Sequence, residues 1–75
     1  MAKARQLVIC IENSRYETGL ERRKIYVSIP DASAAKQGYL RVVDDSGEDY
    51  LYPAAMFVLI ALPANVKRVV LQAAA

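Results

Sequence analysis

Four carboxylates crowd six positions of this chain, Asp44, Asp45, Glu48 and Asp49 in the stretch DDSGED. Side chains of that type in such density suggest either a calcium loop or a carboxylate pair for acid–base chemistry. The spacing argues against both. A calcium loop sets oxygen ligands at alternate positions and ends in a bidentate glutamate, a length and order DDSGED lacks. Acid–base work needs one carboxyl raised in pKa by burial, whereas the tip of a polar hairpin is expected to stay solvated. Cys10 is the lone thiol, inside the apolar run Leu7 to Ile11. Activation would require a neighbouring cation or helix terminus, and the closest downstream charge is Glu12, so Cys10 reads as a small buried hydrophobe. There is no histidine, no serine beside a base at recognisable spacing, and no glycine-rich phosphate loop. Neither an enzyme nor a cofactor is expected.

The cations make a second candidate. Arg22, Arg23 and Lys24 are contiguous, Arg41 and neighbours such as Arg5 and Arg15 could join them, and Tyr26 and Tyr39 fall between. Small β proteins bind RNA or DNA through such faces, stacking bases on the aromatics. Ten basic against eight acidic residues leave a net charge of only +2, which supplies little of the counterion release that drives such binding. The competing reading is a solvated strand start neutralised by the acidic hairpin.

The elements that must hold these groups follow from side-chain periodicity. Gln6 to Glu12 and Lys24 to Ile29 alternate as strands, the second stopped by Pro30, which cannot donate to a ladder. Glu12 to Arg23 shows neither period and reads as a long loop that Tyr16 and Leu20 pin down. Asp31 is placed to cap one or two helical turns over Ala32 to Gln37, with Gly38 ending them. Tyr39 to Asp44 and Glu48 to Tyr52 flank Asp45-Ser46-Gly47, a three-residue hairpin loop with glycine where φ must be positive. Pro53 to Met56 predicts a single 3₁₀ turn, Phe57 to Leu62 a last strand, and Pro63 opens a short helix whose Val66, Val69, Val70 and Ala73 share a face opposite Lys67 and Arg68.

Seventy-five residues, 55% of them hydrophobic, make one domain over 1–75, with strands over about 6–62 and the helix over about 63–73. After Met1-Ala2-Lys3-Ala4-Arg5 the apolar run is too short for a signal-peptide core, and one cysteine cannot form an internal disulfide, so a cytoplasmic protein is expected. Ala54 to Ala64 falls short of the ~20 residues that span a bilayer; no membrane association is expected.

This order of five strands, long first loop, central hairpin and 3₁₀ turn resembles the Src-homology-3-like (SH3-like) barrel along Leu7 to Ile60. LERRKIYVSI looks like the second strand of that fold entered from its first loop. YLYPAAMFVLI is similar to the segment in which a proline opens the 3₁₀ turn. CIENSRYETGLERRKIY and GYLRVVDDSGEDYLYP together resemble a group of small bacterial proteins of unknown function. The resemblance implies a mainly β, five-stranded barrel with its interior filled. Pro53 and Phe57 match the turn positions of peptide-binding members and Tyr16 stands in their first loop. No tryptophan is present and the loop lacks their aromatic-acidic signature, so proline-rich helices are not the implied ligand.

With Ile25, Val27, Ile29, Leu40, Val42, Leu51, Val58 and Ile60 assigned inward, the other face carries Tyr26, Tyr39, Val43, Tyr50, Tyr52, Phe57 and Leu59. That surface is expected either to lie under the C-terminal helix or to face a partner. The leading expectation is a non-catalytic protein-interaction module that presents Tyr39, Tyr50, Tyr52 and Phe57 to another protein or to a second copy. The alternative is nucleic-acid binding through Arg22, Arg23, Lys24 and Arg41.

Overall fold

The strand-forming runs fold as their alternation predicts, and each ends where a ladder donor or an extended backbone runs out. The computed structural model describes residues 5–74, with side chains as far as Gln72. Met1 to Ala4 and the side chain of Ala73, expected on the apolar face of the C-terminal helix, lie outside the described residues. The order is β1 (Gln6–Cys10), β2 (Ile25–Ile29), α1 (Ala32–Lys36), β3 (Tyr39–Val43), β4 (Asp49–Pro53), a 3₁₀ turn (Ala54–Met56), β5 (Phe57–Ile60) and α2 (Ala64–Ala74).

All ladders are antiparallel and the sheet runs β4-β3-β2-β1-β5. No ladder joins β4 to β5, so the sheet is open rather than closed into a barrel. Its two ends are linked through the 3₁₀ turn and by side chains: the Tyr52 and Phe57 rings meet edge-on at 6.3 Å between centroids.

Local chemistry explains the punctuation. Asp31 caps α1 by accepting the Ala34 N–H at 3.0 Å. Gly38 and Gly47 both take positive φ, 83° and 85°, a region open to glycine without a Cβ penalty. The hairpin closes with the Asp44 N–H on the Glu48 carbonyl and the Gly47 N–H on the Asp44 carbonyl.

The core bears out the expected face of β3, where Val42 is buried and Leu40 packs against the cluster, and contradicts the expected faces of β2, β4 and β5. Val8, Cys10, Leu20, Tyr26, Val42, Tyr52 and Phe57 form one buried cluster, with Tyr16, Leu40 and Met56 packed against it. Ile25, Leu51 and Val58, expected inside, are exposed. Strand alternation fixes which residues share a face but not which face is covered, and here both faces are apolar. The tyrosine-bearing face wins because each ring removes more area from water than a branched aliphatic, and each hydroxyl finds a carboxylate. Full burial of such a side chain is worth about 1.5–3 kcal/mol.

The opposite face is partly covered by α2, which packs toward β2 and leaves Leu7 and Val27 buried. Leu71 lies beside Val27, Ile29 and Val43. The helix is rotated from its expected orientation: Lys67, Val70 and Leu71 are the partly covered residues, while Val66 and Val69 are exposed. No described helix is long and apolar enough to cross a membrane.

Candidate binding groove

Between the first loop and the β3–β4 hairpin lies an open groove of about 430 Å³, lined by Arg15, Tyr16, Gly19, Asp44, Tyr50 and Tyr52 among others. The loop that makes one wall is held by its own hydrogen bonds. Gly19 and Leu20 donate N–H to the Tyr16 carbonyl at 3.0 Å, and Asn13 Nδ2 donates to the Leu20 carbonyl at 3.1 Å. Glu12 accepts from the backbone of Asn13 and Ser14 and from the Ser14 hydroxyl. Leu20 is wholly buried, so the loop is anchored by a core side chain.

Asp44 forms the floor. It is 8% exposed and accepts the Tyr52 hydroxyl and the Ser46 hydroxyl, each at 2.5 Å, and the Ser46 N–H at 2.9 Å. The expected solvated hairpin tip is therefore corrected at this carboxylate: Asp44 leaves water because three donors replace it. Tyr16 packs edge-on against Tyr52 at 5.1 Å between centroids. A Cβ on Gly19 would lie 2.9 Å from the Tyr52 hydroxyl oxygen and 3.0 Å from Asp44 Oδ2, so only glycine lets the loop approach this closely. On the far side of the hairpin the Tyr26 hydroxyl donates to the Asp45 carboxylate at 3.1 Å and accepts the Glu21 N–H at 2.7 Å.

These contacts shift the titrations in opposite directions. Burial works to raise the Asp44 pKa, but the hydrogen bonds from Ser46 and Tyr52 outweigh it and hold the carboxyl below its usual range. Burial first, then the hydrogen bond to Asp44, pushes the Tyr52 phenol well up. Tyr26 is pushed up to about 12 by burial, opposed by the Glu21 N–H and aided by Asp45. A depressed carboxylate stabilises the fold above its unfolded pKa of ~3.9, a contribution lost as pH falls through the folded value. Raised phenols stabilise below ~10, a contribution lost as pH rises through the folded values. A thermal midpoint level between about pH 5 and 9 and falling on both sides is expected. Tyr52→Phe should make both limbs shallower, and differential scanning calorimetry across pH checks it.

The four tyrosine and phenylalanine positions expected to face a partner do not form one patch. Tyr39 and Tyr50 are exposed, but their register, Tyr39 opposite Pro53 and Tyr50 opposite Val42, puts them on different faces of the sheet. Tyr52 and Phe57, at 6% and 7% exposed, are core residues, so the exposure expected of them is not found. Of the four cations, Arg22 and Arg23 are exposed. Lys24 is paired with Asp45 at 2.5 Å and Glu21 at 3.8 Å, and Arg41 with Asp31 at 2.9 Å and Asp49 at 3.0 Å. The positive charge expected across the tyrosines is thus met locally by carboxylates at two of its four positions.

Sequence reasoning missed Gly19 and Asp44 as wall and floor. The available signal was the surplus of tyrosines near carboxylates, since a buried phenol needs an acceptor. Comparison of the chain with protein-family models, with curated proteins and with solved structures finds no match.

Proposed function

We propose that this chain is a non-catalytic protein-interaction module whose partner lies in the groove over Tyr16, Tyr50 and Tyr52. The observation that carries the reading is the open groove of about 430 Å³ with tyrosine on both walls and Arg15 at its rim. Tyrosine offers large area at low conformational cost with a polar end, the property that enriches it at interfaces. Arg15 has no carboxylate within ion-pair distance among the described residues, which favours an extended peptide carrying an acidic side chain. Tyr50 is half exposed and its hydroxyl bonds, among the described residues, only to the neighbouring Glu48, so the ring is free to be covered. We extend the proposal to a curled, SH3-like sheet, to membership of a group of small bacterial proteins, and to a reducing cytoplasmic setting that the buried thiol of Cys10 tolerates.

Affinity capture from the native cell, with and without nuclease, tests the reading. Tyr50→Ala should lose the captured protein by tenfold or more, the ~1.4 kcal/mol or greater of an interface anchor, while stability shifts by less than about 0.5 kcal/mol. Undiminished capture by the Tyr50→Ala variant refutes the groove. Capture lost on nuclease treatment, with steep salt dependence on single-stranded RNA, would instead favour nucleic-acid binding through Arg22 and Arg23.

A further inference from the structure

The two edges of the open sheet are not alike. The β4 edge carries Asp49 and ends in Pro53, beside the acidic hairpin, which are devices that discourage edge-to-edge pairing. The β5 edge has none of them. From Tyr50 to Val66 the chain holds no charged residue, and Ile11, Val58 and Leu59 near this edge are each about half exposed or more.

Register shows which backbone groups of β5 are unused. Ile11 donates its N–H to the Met56 carbonyl at 2.8 Å. Hydrogen-bonded pairs of an antiparallel ladder recur at every second residue, so Ile9 with Val58 and Leu7 with Ile60 bond across to β1. Cys10 agrees, since its N–H and carbonyl turn the other way, to Lys24 and Arg23. Phe57, Leu59 and Ala61 therefore point their backbone groups away from β1. The Phe57 N–H is taken by the Ala54 carbonyl. The Leu59 N–H and carbonyl, the Phe57 carbonyl and the Ala61 N–H have no partner among the described residues.

We propose that the β5 edge is an interface between two copies of this chain, paired antiparallel about a two-fold axis at Leu59. Such an axis sets Leu59 opposite Leu59 and Phe57 opposite Ala61, so four backbone hydrogen bonds form, two at Leu59 and two from Ala61 N–H to Phe57 carbonyl. Val58 of each copy then stands against Ile60 of the other on one face. An uncharged strand is electrostatically compatible with itself, whereas the β4 edge presents the charge of Asp49 and, at Pro53, a residue with no N–H to donate. This self-compatibility is what selects a second copy as the occupant. The exposed apolar area that Ile11, Val58 and Leu59 contribute is on the order of 300 Å² per copy, below the ~800 Å² of a standard interface, so the dimer is a weak, concentration-dependent one.

Sedimentation equilibrium of the full chain at concentrations up to about 1 mM tests the interface. The expected mass climbs from 8.3 kDa toward twice that value, and amide exchange at Leu59 and Ala61 slows in step. Leu59→Lys and Val58→Lys should each stay at the monomer mass while keeping the parent's circular dichroism, since both side chains are exposed. Tyr50→Ala should dimerise like the parent, which separates this interface from the groove: either can fail alone. A parent that stays monomeric up to that concentration, lysine variants that still dimerise, or loss of the dimer in Tyr50→Ala would each overturn the proposal.

Discussion

Tyr52→Ala is expected to cost about 3–5 kcal/mol and to leave the chain largely unfolded at room temperature. The ring fills the space between Tyr16 and Phe57, and its hydroxyl is one of three donors on the buried Asp44. Truncation opens a cavity and strips that carboxylate of a partner in one step. A chain of 75 residues has a total stability near the low end of the usual ~5–15 kcal/mol, so the loss consumes most of it. Tyr52→Phe separates the two parts: it keeps the ring and should cost about 1–3 kcal/mol, the penalty for an under-satisfied buried acceptor. Urea unfolding followed by far-ultraviolet circular dichroism reads both. A Tyr52→Ala variant as stable as its parent would remove Tyr52 from the core and with it the assignment of faces.

Leu20→Ala should cost about 2–5 kcal/mol although Leu20 lies in a twelve-residue irregular loop, Glu12 to Arg23, where substitutions are ordinarily cheap. Leu20 has no exposed surface and packs within the cluster of Val8, Cys10, Tyr26, Val42, Tyr52 and Phe57. Its removal also loosens the groove wall, because the Leu20 N–H and carbonyl are bonded to Tyr16 and Asn13. Thr18→Ala, at an exposed position in the same loop, should change stability by less than about 0.5 kcal/mol. The same unfolding measurement distinguishes them, and equal midpoints for the two variants would show that the loop is not part of the core.

The strands, the capped short helix at Asp31, the hairpin glycine and the 3₁₀ turn were legible because each rests on a local rule: period two, a side-chain acceptor for an orphan N–H, a positive φ, a proline that fixes an angle. The covered face was not legible. On β2 both Ile25-Val27-Ile29 and Tyr26-Ser28 present residues that can be buried, and the outcome depends on what the first loop and α2 bring from elsewhere. Gly19 could not be recognised from its neighbours, because its constraint comes from Tyr52 and Asp44, more than twenty residues away. The helix face went wrong for a related reason: Val66 and Val69 look like its apolar side, but the docking site beside Val27 and Val43 is met by Leu71. The groove was half legible, through Tyr16 and Tyr50, and its floor was hidden because Asp44 stands in sequence among the acids of the hairpin while its burial comes from Tyr52.

The strand order carries a consequence for synthesis on the ribosome. β1 is made first yet sits between β2 and β5, and its second ladder pairs Leu7 with Ile60. A chain emerging from its N-terminus can form β1 to β4 while one flank of β1 waits for the last strand. Closing contacts between distant parts of the chain is the slow part of folding, and open flanks are where nascent chains stick to one another. The sheet is therefore completed only when β5, the last of its strands in chain order, reaches the waiting flank of β1.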